Sequence, residues 1–215
     1  SGSPAIRPAD FQELNLLGEN VSGRTWTDTS GKDNNGVASL TEPFFGAGGV
    51  SFDGNGDDLS LTFNSTLPSD FTIELWVYRN NTNRHCFISL WDTGGNRWRF
   101  EVERTAGKAN FTDTGSNNNE FDYTSSSNEW VHWAVSRQGT TARMFENGTQ
   151  IGSWTSSTTL GDGVSNPLTI GRLGGAGTDY VDGFISNVRI TKGTAVYTSN
   201  FTPPTTPLTA ISGTE

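Results

Sequence analysis

The chain is poor in the residues on which much enzyme chemistry is built. It has 1 cysteine and 2 histidines in 215 residues. A lone cysteine, Cys86, excludes an internal disulfide. Its setting, His85-Cys86-Phe87-Ile88-Ser89-Leu90, reads as a strand. Neighbours on a strand point to opposite faces, so His85 is badly placed to activate the thiol. Cys86 is read as a small buried hydrophobe. Cations are also scarce: 14 Lys and Arg stand against 23 Asp and Glu, for a net charge of -9. A phosphate-binding face needs the opposite balance, so no nucleic-acid partner is expected. No run of about 18 apolar residues occurs, and no membrane insertion is expected. No stretch keeps a helical apolar period between caps; at most Ala195 to Ser199 makes one irregular turn.

What the chain does have is glycine, aromatics and alternation. It carries 26 Gly, 7 Trp and 13 Phe, enough aromatic surface to fill a core and enough turn residues to join many short strands. Period-2 segments recur from Phe11 to Leu17, at Val50 to Phe52 and at Leu59 to Phe63. The clearest is Phe71 to Tyr78, with an apolar odd face and an even face of Thr72, Glu74, Trp76 and Tyr78. Cys86 to Trp91, Arg97 to Val102, Ala109 to Thr112, Trp130 to Arg137, Thr141 to Phe145, Gln150 to Trp154, Leu168 to Ile170 and Val181 to Thr191 follow. In the last of these, strict alternation places Phe184, Ser186, Val188 and Ile190 on one side. The polar runs Gly115 to Glu120 and Thr155 to Gly163 read as exposed loops. The expected fold is all-β, a two-sheet antiparallel β-sandwich. Residues 1–10 are expected to be an N-terminal extension, 11–202 a single domain, and 203–215 a Pro/Thr-rich tail.

Six segments carry a resemblance in a consistent order. They are Trp26-Thr27-Asp28-Thr29-Ser30-Gly31, Gly49 to Gly54, Asp70 to Val77, Trp130 to Val135, Glu146-Asn147-Gly148 and Asp182 to Ile190. Together they resemble laminin-G-like jelly rolls of the concanavalin A-like lectin/glucanase superfamily. Thr191 to Pro204 resembles the ending of such domains in bacteriophage tail and virion proteins, those of marine phages especially. The resemblance implies a jelly roll on a virion or extracellular surface. It would meet a glycan or polysaccharide, or other virion or surface-assembly proteins.

Candidate sites follow from this. Calcium seeks six to eight oxygens, and related domains often bind it through loop carboxylates. The densest oxygen supply is Asp53, Asn55, Asp57 and Asp58 on a glycine-rich loop; an EF-hand is excluded, because the late Glu and the flanking helices are missing. Sugar binding needs an aromatic platform beside amide, carboxylate or cationic partners. Trp91, Asp92, Asn96 and Arg97 offer that set within one hairpin, with Tyr78 projecting from the even face of its strand. The glucanase branch needs paired carboxylates. Glu101 and Glu103 are the nearest match, but the central Asp is missing and Arg97 and Arg99 fall on the same face. A pairing of Glu74 with Glu101 has no supporting pattern. His132 reads as a hydrogen-bonded structural residue near the sheet edge or groove. The expected protein is therefore not an enzyme. Arg189 is expected to pair with an acidic neighbour and Lys192 to face solvent. The chain is expected to leave the sandwich at Pro203, held by Phe201, whose loss should lower stability and spare ligand binding.

Overall fold

The computed structural model describes residues 12–22, 25–28, 36–38, 44–46, 49–63, 66–91, 97–113, 117–161, 167–175, 177–206, 208 and 211, with backbone alone for 12–46 and Thr62. Among the described residues there are sixteen strands: β1 (Gln12–Ser22), β2 (Thr25–Asp28), β3 (Gly36–Ala38), β4 (Phe44–Gly46), β5 (Gly49–Asp53), β6 (Leu59–Thr62), β7 (Phe71–Arg79), β8 (His85–Leu90), β9 (Trp98–Val102), β10 (Lys108–Asp113), β11 (Asn117–Asp122), β12 (Trp130–Gln138), β13 (Thr141–Glu146), β14 (Thr149–Thr155), β15 (Pro167–Ile170) and β16 (Asp182–Lys192). No helix occurs among the described residues.

Six strands, β11-β10-β9-β8-β15-β6, make the first sheet, and six more, β1-β16-β7-β12-β13-β14, make the second. β3 and β2 carry the ladder from β6 to β1 along one edge, so the two sheets are one ladder folded over. β5 pairs with the start of β16, and β4 pairs with β5. The two-sheet antiparallel sandwich expected from the alternation is the fold observed.

The core is what the odd face of β7 predicts. Phe71, Ile73, Leu75 and Val77 are buried in one cluster with Trp98, Phe100 and Val102 of β9 and Val131, Trp133 and Val135 of β12. Trp133 of the second sheet lies 6.0 Å from both Phe87 and Phe100 of the first, ring centre to ring centre. Each such fully buried side chain contributes roughly 1.5–3 kcal/mol of transfer free energy.

Three expectations change. The run read as a loop from Gly115 to Glu120 contributes most of β11, paired from Asp113↔Asn117 to Lys108↔Asp122. Its polar residues carry no apolar signal because this is an edge strand with largely exposed side chains. In β16 the register shifts between Ser186 and Arg189, where Asn187 has a φ of 52°. This bulge breaks the alternation. Ile185, Val188 and Ile190 join the core, whereas the register sets Phe184, Ser186 and Arg189 beside the outward Tyr78, Trp76 and Glu74 of β7. Finally, the chain does not leave the sandwich at Pro203. Leu208 is 3% exposed, and its N–H donates to Asn187 Oδ1 at 3.0 Å.

Candidate functional site

The outer face of the second sheet is built in cross-strand rows. Trp130, Tyr78, Phe184 and Ser51 form the first row, on β12, β7, β16 and β5. His132, Trp76 and Ser186 form the second; Ala134, Glu74 and Arg189 the third. Directly opposed residues in such rows have side chains in contact. In the first row the rings meet edge to face, with Tyr78 5.8 Å from both Trp130 and Phe184. Trp130 is 42% exposed and Phe184 37%. Gly183, at the start of this row, allows no side chain: a Cβ there would lie 1.9 Å from the Tyr78 carbonyl oxygen.

The third row is closed to solvent. Glu74 is fully buried. Arg189 donates from Nε to Glu74 Oε1 at 2.8 Å and also pairs through Nη2. His132 Nε2 lies 3.2 Å from Glu74 Oε2, and the Tyr197 hydroxyl donates to the same oxygen at 2.7 Å. Burial alone would raise the Glu74 carboxyl; the His132 hydrogen bond, the Arg189 charge and the Tyr197 hydroxyl outweigh it and hold the group below its ordinary value. Burial, and then the Glu74 charge, push the Tyr197 phenol up.

Residues 193–206 make that lid. Val196 N–H donates to Thr72 Oγ1 at 2.8 Å, Tyr197 stacks on Phe201 at 3.6 Å, and Phe201 N–H donates to the Gly148 carbonyl at 2.9 Å. Any Cβ at Gly148 would lie 2.0 Å from the Phe201 carbonyl oxygen. The lid covers His132 of the second row and leaves Trp130 and Phe184 of the first row exposed. Its Pro204, Thr205 and Thr206 instead wall a groove of about 330 Å³ over Trp76, Trp130, Ser186 and Asn187. Apolar aromatic faces line this groove beside hydroxyl and amide groups.

The structure separates the residues expected to bind sugar together. Tyr78 belongs to the aromatic row of the second sheet. Trp91 and Arg97 lie beside the first sheet, at the ends of β8 and β9, and Asp92 and Asn96 fall outside the described residues. Trp91 is occupied by cations rather than offered as a bare platform: the Arg97 and Arg99 guanidiniums each lie 4.2 Å from its ring centre. Trp76, Trp130, Ser186, Asn187 and Pro204 to Thr206 were not legible as one groove. The parity of β12 places Trp130 with His132, but no local pattern reveals that β5, β16 and β7 align their residues beside it.

The loop expected to hold calcium spends several of its side-chain oxygens on hydrogen bonds and an ion pair within the protein. Asp53 Oδ1 accepts from Asn55 N–H at 2.7 Å, and Asp57 Oδ2 accepts from Asp53 N–H at 3.1 Å. Asp58 accepts from Ser60 Oγ at 2.7 Å and pairs with Arg172 Nε at 3.0 Å. Burial raises the Asp57 carboxyl. Among the described residues, no three of His, Cys, Asp and Glu are grouped to hold a metal ion.

The carboxylates weighed for hydrolysis have separate surroundings. Glu101 is buried and paired with Arg84 Nη2 and Arg99 Nε, each at 2.7 Å. Glu103 has a φ of 61° and instead accepts from the Tyr123 hydroxyl and from Gly107 N–H. Glu74 and Glu101 lie on different sheets, with the core between them. His132 is fully buried inside the second sheet, hydrogen-bonded to Glu74 as a structural residue and set beside Trp76 of the groove, and Cys86 is buried as expected, its thiol pushed up by desolvation.

A family profile described as the concanavalin A-like lectin/glucanases superfamily, of laminin G type, matches residues 53–196. A search of curated proteins finds no match. Among solved structures, domain 4 of AbnA, a GH43 extracellular arabinanase from Geobacillus stearothermophilus, in complex with arabinotriose, is similar with a TM-score of 0.68 at 14% identity. The match covers 87% of this chain and 95% of that one. The binding domain of Paraclostridial Mosquitocidal Protein 1 matches with a TM-score of 0.64 at 16% identity, over 88% of this chain and 50% of that one. Botulinum neurotoxin type C, whose cell entry depends on interaction with two ganglioside molecules, matches with a TM-score of 0.60 at 16% identity, over 85% and 48%. This chain thus spans about half the length of the toxin chains. Such distant likeness is one of fold, but the profile covers well over half the sequence, and the chain belongs to the concanavalin A-like lectin/glucanases superfamily.

Proposed function

We propose that the protein is a non-catalytic carbohydrate-binding domain and that the groove over Trp76 and Trp130 holds the sugar. The observation that carries this is the exposed aromatic row. Trp130 and Phe184 are the large hydrophobic side chains left exposed among the described residues, and they share one patch with Tyr78. A pyranose or furanose ring presents C–H groups to such a face and its hydroxyls to Ser186, Asn187 and Thr205 at the groove wall. The arabinotriose complex of the AbnA domain supports a sugar ligand and supplies the first probe. The resemblance of Thr191 to Pro204 to endings of phage virion proteins supports a setting on a virion or other extracellular surface assembly.

Arabinotriose and a panel of neutral oligosaccharides, titrated while tryptophan fluorescence is read, test the assignment. Trp130→Ala should weaken binding by roughly tenfold or more, without change in fold. No binding across the panel by the native chain would sink the sugar reading. It would favour the alternative, a structural decoration protein whose aromatic patch meets another protein. Repeating the titration with EDTA tests whether Ca2+ at Asp53, Asn55, Asp57 and Asp58 contributes; the buried Asp57 Oδ1, which has no hydrogen-bond partner, is the feature that favours it.

A further inference from the structure

A second cavity lies on the outer side of the first sheet and differs in chemistry from the aromatic groove. It measures about 610 Å³ and is bordered by Arg84, Arg99, Arg104, Asn118, Trp91 and Asp179, among others. Three of those six residues are cationic and one is acidic. Together with Arg97, they concentrate four of the 14 cations of a chain whose net charge is -9. The balance at the cavity is therefore opposite to that of the whole molecule.

The arginines are held in place from below. Glu101 is fully buried and does not border the cavity; it takes Arg84 Nη2 and Arg99 Nε at 2.7 Å each, and Asn110 Nδ2 donates to it at 2.7 Å. Counting Asp179 and Glu120 with Glu101, three carboxylates stand against the four guanidiniums of Arg84, Arg97, Arg99 and Arg104, a surplus of one positive charge. Arg99 also donates to Thr112 Oγ1 and lies against the Trp91 ring, so little rotamer freedom is left to lose on binding. Arg84 takes Asp179 at 3.2 Å. Arg104 reaches Asn118 Oδ1 at 3.1 Å, with Glu120 3.8 Å away. Pre-oriented guanidiniums on an open polar cavity match the planar oxygens of a carboxylate or the oxygens of a sulfate. The volume lies within the range of small-ligand sites and suits a saccharide better than a bare ion.

We propose that this pocket binds an acidic saccharide, with the uronate carboxylate or sulfate ester engaged by Arg84, Arg99 and Arg104. It is a second site, on the opposite sheet from the aromatic groove, and it does not depend on the assignment of that groove.

The test uses the full chain and four probes at matched ionic strength: tetragalacturonate, a sulfated galactan tetrasaccharide, neutral galactotetraose and sodium sulfate. At least one acidic saccharide should bind with a Kd below about 1 mM, and the affinity should fall as salt rises. The first two probes distinguish carboxylate from sulfate. Arg104→Gln should weaken that binding by roughly tenfold, and Arg104→Lys by less, because charge is kept and the fork is lost. Arg104 is exposed, so both variants should melt with the native protein. Trp130→Ala should leave acidic-sugar binding intact, which separates this site from the groove. The proposal is overturned if neither acidic probe outbinds galactotetraose, or if Arg104→Gln binds as the native chain does. It is equally overturned if sodium sulfate alone competes as well as the acidic sugar, or if Trp130→Ala removes the binding.

Discussion

Glu74 is fully buried, and its carboxylate is stabilised by His132, Arg189 and Tyr197 rather than by bulk solvent. Removing one member of such a buried set leaves the others unpaired, so Glu74→Gln should cost about 3 kcal/mol at neutral pH, read as a fall in the urea midpoint. The pH dependence has a definite sign. The folded carboxyl sits below its ordinary 4.5, so its contribution is complete above that value and is lost as pH falls through the folded one. The stability gap between native protein and Glu74→Gln should therefore be constant at neutral pH and shrink below pH 4.5; a gap that stays constant into acid would contradict the linkage. Part of this site is legible in the sequence. The even face of Phe71 to Tyr78 announces Glu74 beside Trp76 and Tyr78, and Arg189 does find an acidic partner. Strand parity cannot say which sheet a strand joins, and for that reason Tyr78 and Trp91 read as neighbours although the core lies between their sheets.

Among elements, the C-terminal segment departs furthest from its expected part. Residues 193–206 complete the outer face of the second sheet, seal one half of it and wall the other. Phe201 stacks on Tyr197 and lies 5.3 Å from Phe145 and 5.7 Å from His132. Because it is half-buried, Phe201→Ala should lose about 2 kcal/mol, less than a core Phe. The packing role inferred from the sequence is retained, but the expectation that ligand binding is spared is replaced. Loosening the segment displaces Pro204 to Thr206, so affinity at the groove should fall along with thermal stability. Unchanged affinity in a destabilised Phe201→Ala would show that the wall is not used. Three prolines signal that the chain stops pairing as a strand; they do not show where it then lies. The bulge at Asn187 and the edge strand β11 were equally hidden, since one breaks alternation and the other has no apolar face to display it.

Across the whole molecule, one buried cation ties two of the crossings between the sheets. Residues 66–70 run from β6 of the first sheet to β7 of the second, and 156–161 run from β14 towards β15. Arg137 donates to the carbonyls of Pro68, Ser69 and Thr158 and to Ser156 Oγ. Leu67 and Leu160 exchange backbone hydrogen bonds beside it. Arg137→Ala would leave the buried Ser156 Oγ and three part-buried carbonyls without this donor and should cost about 2 kcal/mol, measured by urea unfolding. A loss below about 1 kcal/mol would mean that water replaces the guanidinium there. The position of β16 has a consequence for the order in which the structure is completed. It follows the other fifteen strands in sequence, yet it lies between β1 and β7 and also pairs with β5. During synthesis, β1 and β5 emerge from the ribosome long before the strand that pairs with them. Their open edges must be kept from other chains until residues 182–192 arrive. Folding is then governed by contacts of long sequence separation, and it cannot be completed before residues 182–192 have emerged.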